Sequence, residues 1–256
     1  MKKIYLDKIV NFLFPSEHNY STDIKLNDFI LDNFKHKEDS KELLVLCPPW
    51  HIGLTATRIL RSKLKKENIS YLEFSLHQDI ISCDYKTTGK LVKKSIEIMI
   101  SRIDYYKKKY NFKKIHILGI SLGCLFAINV VKEIEEVDKL ILSTPGHSFS
   151  RVFWFGHATR KMVEVLQANN VSLKTIQEEW KEVDGLVNIS KLKNKNIIIL
   201  LSKSDLIIRY EFGEKLIEEL NNAKIYPRVF LNKNLGHYGT SLLLLFNPKK
   251  YIFPKF

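Results

Sequence analysis

Short apolar runs alternating with segments of helical periodicity constrain this chain more than any other feature. The runs are LLVLC at 43–47, SYLEFSL at 70–76, KIHIL at 114–118, KLILS at 139–143 and NIIILLS at 196–202, with IYPRVFL at 225–231 completing the set. Between them, helical patterning covers 54–64, about 88–109, 122–132 and 210–221. A strand that is apolar along its length has both faces covered, and helices that alternate with such strands cover them while joining one parallel strand to the next. The expectation is an α/β fold, a mainly parallel central sheet with helices on both faces.

One interval breaks the rhythm. After the strand at 139–143 come Phe149, Phe153, Trp154 and Phe155, then helical patterning around 160–167 and 172–183. Residues 146–194 therefore read as an inserted cap of helices lying over the strand ends. A chain of 256 residues fits one large domain, 1–256, better than two small ones. Near the start, Ile4, Ile9, Val10 and Leu13 place an apolar stripe on a short helix, and Asn27-Asp28 between apolar segments has the punctuation of a hairpin over 23–34.

The formal charge of +13 raises the question of a nucleic-acid or anionic-membrane partner. The lysines are scattered in small groups, such as Lys63, Lys65 and Lys66, Lys107 to Lys109, and Lys249 and Lys250. Such dispersion reads as solvated surface in a Lys-, Asn- and Ile-rich composition, and no nucleic-acid partner is expected. No apolar stretch approaches the roughly 18 residues of a membrane span, so stable membrane insertion is not expected. The N-terminus lacks the h-region and cleavage site of a signal peptide. Cys47, Cys83 and Cys124 form neither a disulfide framework nor a metal-spaced set, which suits a reducing compartment. The expectation is a soluble, cytoplasmic protein.

The chemistry concentrates at Gly119-Ile120-Ser121-Leu122-Gly123, between a strand and a helix. A nucleophilic serine on so sharp a turn takes strained backbone angles, and the flanking glycines let strand and helix approach without Cβ clashes. The turn lifts the Ser121 hydroxyl clear of the sheet. Through this elbow and the segments SKSDLII and NLGHYGT, residues 42–246 resemble the α/β-hydrolase family.

The resemblance implies a serine hydrolase. A serine hydroxyl is a weak nucleophile until a base takes its proton. His237, in a loop after the last expected strand, stands where the family keeps that base. Asp205, after the strand NIIILLS, would hold the imidazole in its tautomer, and the chain order Ser, Asp, His is the family's order. The alternative acid position, in STPGHS after the preceding strand, contains no carboxylate.

An oxyanion hole would take one donor from the Leu122 N–H and a second from the loop after 43–47. There the family commonly has His-Gly, whereas this chain has Pro48-Pro49-Trp50-His51. Turn alignment selects the Trp50 N–H, with a packing role for its ring as the other reading. Pro49 has no N–H to offer.

His51, Phe153, Trp154 and Phe155 are the candidates for contact with substrate; packing of the cap onto the sheet is the competing role of the aromatics. His77, like His51, follows an expected strand end and could line the pocket, with an ordinary polar role as the other reading; His116 reads as a satisfied interior residue and Cys124 as a packing thiol. No metal-spaced ligand set or phosphate-cradling glycine loop is present, so neither metal nor nucleotide cofactor is expected. The function implied is hydrolysis of a small carboxylic ester or thioester through an acyl-Ser121. The alternatives are an acyltransferase using the same intermediate and a catalytically silent binding protein with this fold.

Overall fold

A computed structural model describes residues 30–50, 57–64, 67, 69–184 and 187–252. The helix expected at 4–14 and the pocket candidate His51 lie outside these residues. The strands are β1 (Ile30–Lys35), β2 (Glu42–Cys47), β3 (Ser70–Leu76), β4 (Lys114–Ile120), β5 (Val137–Ser143), β6 (Asn196–Ser202) and β7 (Arg228–Asn232). They form one sheet in the order β1-β3-β2-β4-β5-β6-β7, parallel throughout except for β1, which runs antiparallel to β3.

The helices are α1 (Arg58–Leu64), α2 (Tyr85–Tyr110), α3 (Gly123–Glu133), α4 (Phe149–Phe155), α5 (Arg160–Ala168), α6 (Leu173–Glu179), α7 (Tyr210–Asn222), α8 (Gly236–Phe246) and α9 (Pro248–Tyr251). Alternate strand residues divide the core in two, as a side-chain period of two requires. Leu43, Val45, Ile115, Ile117, Leu140, Leu142, Ile197 and Ile199 face α2, α3 and α7. Leu44, Leu46, Leu118, Ile120, Ile141, Ile198 and Leu200 face α1, α8 and α9. Both faces are thus covered, and α3 is buried over nearly its whole length.

One expected strand differs from the structure, and another expectation is only partly covered. Of the hairpin expected over 23–34, residues 23–29 lie outside the described residues; the rest falls in β1, which pairs over its length with β3. The expected strand at 225–231 begins three residues later, at Arg228; Pro227 lacks the N–H that a ladder needs.

The excursion between β5 and β6 carries α4, α5, α6 and a 3₁₀ turn at Ile189–Leu192. Its anchor is Trp180, fully buried, stacked on Phe149 at 4.6 Å and edge-on to Phe153 at 5.1 Å. The Trp180 indole N–H donates to the Tyr85 carbonyl at 2.7 Å, which ties the excursion to the start of α2. Asp184 closes the excursion on itself, accepting from Ser148 Oγ at 3.0 Å, Ser150 Oγ at 2.6 Å and the Phe149 N–H at 2.6 Å.

Candidate active site

Strand β4 ends at Ile120 and α3 begins at Gly123, so only two residues turn the chain at the sheet's C-terminal edge. Ser121 takes φ 56°, in the left-handed region that a non-glycine residue rarely occupies. The strain is held from both sides: the Ser121 N–H donates to the Ser143 carbonyl at 2.9 Å, and the Ser121 carbonyl accepts from the Cys124 N–H at 2.9 Å. The glycines are required by close approach. A Cβ at 119 would lie 2.6 Å from the Cys124 Cα, and one at 123 would overlap the Cys47 carbonyl oxygen.

Strand β6 brings Asp205 to the same edge, and α8 brings His237. His237 Nε2 is 2.9 Å from Ser121 Oγ, and His237 Nδ1 is 2.8 Å from Asp205 Oδ2. Asp205 and His237 are both buried, while Ser121 retains partial exposure. The other carboxylate oxygen of Asp205 accepts the N–H groups of Ile207 at 2.9 Å and Ile208 at 3.1 Å, which fixes the plane of the carboxylate. With Nδ1–H donating to Asp205, Nε2 is left to accept the Ser121 hydroxyl proton. The sequence pattern places His237 in a loop; it stands instead in the first turn of α8, behind Gly236 at φ +65°.

Leu122 is the N-cap residue of α3, and its N–H has no acceptor among the described residues. Trp50 ends the described part of the β2 loop, half-buried against the larger core cluster. The same loop touches the elbow, since Gly123 lies directly beneath the Cys47 and Pro48 carbonyls.

The aromatic candidates part company. Phe153 is 1% exposed and packs edge-on against Trp180. Phe155 is 40% exposed, 6.2 Å from the Phe212 ring, and Trp154 is half-buried against the core. Two exposed apolar residues that the sequence does not single out flank the site. Leu206, beside Asp205, is 69% exposed, and Leu235, two before His237, is 42% exposed.

His77 caps a 3₁₀ turn by accepting the Asp79 N–H at 3.2 Å. His116 is buried on β4 between Glu42 at 3.2 Å and Asp138 at 3.5 Å, and burial holds its pKa below the usual histidine value. Cys124, the second residue of α3, is buried with its thiol donating to the Ser143 carbonyl at 3.2 Å; burial raises its pKa well above the ordinary thiol range, which keeps it protonated. Among the described residues no three His, Cys, Asp or Glu side chains gather as a metal site would need, and no helix is long and apolar enough to cross a membrane.

No family model and no curated protein matches the chain. Solved structures do. An esterase from Pyrococcus furiosus superposes with a TM-score of 0.59 at 14% identity, over 92% of this chain and 94% of its own. A lipase-esterase related protein from Clostridium acetobutylicum gives 0.56 at 15%, over 87% and 96%. An acetyl xylan esterase from Paenibacillus gives 0.60 at 13%, over 81% and 74%. At these identities the likeness is one of fold.

Proposed function

The chain has the α/β-hydrolase fold, and from that premise we propose that it is a serine hydrolase cleaving small carboxylic esters or thioesters through an acyl-Ser121. The observation that carries this reading is the unbroken relay from Ser121 Oγ through His237 to Asp205, with gaps of 2.9 and 2.8 Å. In the first half-reaction Ser121 Oγ attacks the carbonyl carbon and its proton passes to His237 Nε2. The bond to the leaving oxygen or sulfur breaks as His237 returns that proton to it, leaving the acyl group on Ser121. A water molecule then gives His237 a proton and attacks the acyl carbon; Ser121 Oγ departs and recovers the proton. Asp205 offsets the charge on the imidazolium in both halves.

The negative oxygen of each tetrahedral intermediate would be held by the Leu122 N–H and the Trp50 N–H. Each such donor contributes about 3 to 4 kcal/mol in transition-state stabilisation. Helices α4 to α6 leave the sheet within a few residues of β5, beside the elbow, and we read residues 146–194 as a cap over the site. Leu206 and Leu235, next to Asp205 and His237 in the chain, are exposed apolar side chains, and we read Trp154 and Phe155 as further apolar lining; each methylene that a substrate buries there would contribute about 0.8 kcal/mol. Apolar acyl groups are therefore the expected substrates. The three unpaired cysteines support a cytoplasmic location.

The test is hydrolysis of p-nitrophenyl esters of increasing chain length by wild type and by Ser121→Ala. The reading expects kcat/KM to rise with acyl length and to vanish in the variant. Full activity in Ser121→Ala would refute it. Product formed only when an alcohol or amine acceptor is supplied would assign the acyl group to transfer instead of hydrolysis.

A further inference from the structure

Helix α8, which carries His237, has no cap of its own, because its N-cap residue is Leu235 and makes no side-chain bond. The first N–H of the helix, on Gly236, goes to two hydroxyls from 34 and 32 residues earlier: Ser202 Oγ at 2.9 Å and Ser204 Oγ at 3.0 Å. The two hydroxyls lie 3.2 Å apart, within hydrogen-bond reach of each other. Ser202 closes β6, and its carbonyl accepts the Asp205 N–H at 3.1 Å. One residue therefore grips the backbone of the acid with its carbonyl and the backbone next to the base with its side chain. Ser202 is 1% exposed, so bulk water is poorly placed to replace that hydroxyl.

A local N-cap would fix α8 to its own preceding loop. Here the cap comes from the segment that bears Asp205, so drawing the helix start away from it and drawing the imidazole away from the carboxylate are one motion. The other hydroxyls near the base do not have this effect. Thr240 Oγ1 donates to the Gly236 carbonyl at 2.8 Å and Ser241 Oγ to the His237 carbonyl at 3.2 Å, both bonds within α8; Ser241 Oγ also lies 3.4 Å from Ser143 Oγ, a contact to β5 and not to the segment that bears Asp205.

We propose that Ser202 and Ser204 are positioning residues, a paired acceptor that locks His237 to Asp205. The proposal rests on the reading of Ser121, His237 and Asp205 given above. Because the Gly236 N–H is shared, either hydroxyl alone leaves it an acceptor, and the pair must be removed together for the lock to open.

The experiment compares kcat and KM on p-nitrophenyl butyrate, and the rate of labelling by a fluorophosphonate probe, across a set of variants. Ser202→Ala and Ser204→Ala each stay within about threefold of wild type, since one acceptor remains. The double variant loses about 100-fold in both kcat and labelling rate, the effect of a misplacement near 1 Å, with KM within about twofold. Ser202→Ala combined with Ser204→Thr, which keeps one hydroxyl at the pair, regains most of the rate that the double alanine variant loses. A folded double variant with wild-type kcat and labelling, or one in which only KM changes, overturns the proposal. If the double alanine variant fails to fold, Ser202→Cys with Ser204→Ala fills the same volume with a weak acceptor and must show the same loss; wild-type rates there are equally fatal. A wild type that neither labels nor hydrolyses would remove the underlying reading and this inference with it. A wild type that labels no faster than the double variant removes the inference alone.

Discussion

Glu73→Gln isolates the one buried carboxylate among the described residues that the proposed chemistry does not use. Glu73 is on β3 with its side chain fully buried beneath α1, where Arg61 Nη1 donates to Oε2 at 2.9 Å. Burial pushes its pKa up from 4.5 to about 7, although the Arg61 charge and hydrogen bonds from Asn33 and Arg61 pull the other way. Between those two values the folded protein holds a proton that the unfolded chain has released. Stability from this group is therefore fully present below pH 4.5 and is lost as pH rises through about 7. At 1.36 kcal/mol per pKa unit, the loss is about 3 kcal/mol. The amide of the variant cannot ionise, so the wild-type-minus-variant difference in unfolding free energy should fall by about 3 kcal/mol between pH 4.5 and pH 8, or about 6 to 12 °C in Tm. Urea unfolding of both proteins at several pH values measures that difference directly. A gap that stays constant with pH would refute the reasoning.

Three further variants probe the scaffold and the relay. Gly123→Ala drives a Cβ into the Cys47 carbonyl oxygen and to within 2.5 Å of the Pro48 oxygen; the expected loss is about 3 kcal/mol or more, seen as a lower Tm together with lower esterase activity. Trp180→Ala empties the anchor of the excursion between β5 and β6 and should cost about 3 to 5 kcal/mol in denaturant unfolding. Asp205→Asn should leave the circular dichroism spectrum unchanged and lower kcat by about 10⁴-fold, because the amide favours the wrong imidazole tautomer.

The central strands were legible because burial on both faces demands runs that are apolar throughout, and 70–76 and 196–202 coincide with β3 and β6. β1 was hard to read because Asp32, Asn33 and Lys35 interrupt it, as the outermost strand among the described residues permits. Ser121, Asp205 and His237 could be chosen by motif and chain order, and the structure brings the three together. The helical turn at His237 was hidden by Gly236, whose positive φ breaks the periodicity at the start of α8. Among the aromatics, spacing carries the distinction: Phe149 and Phe153 are four apart on α4 and share the face that Trp180 fills, leaving Phe155 turned outward. Ser202 and Ser204 leave no such trace, because a hydroxyl at a strand end looks the same whether or not a distant N–H meets it.

The central claim is that Ser121 is an activated nucleophile, and reaction with a fluorophosphonate probe followed by peptide mapping tests it without knowledge of the substrate. The account predicts one modified residue, Ser121, with labelling lost in Ser121→Ala and strongly slowed in His237→Gln. An unlabelled wild type, or modification at any other residue with Ser121 untouched, would contradict it.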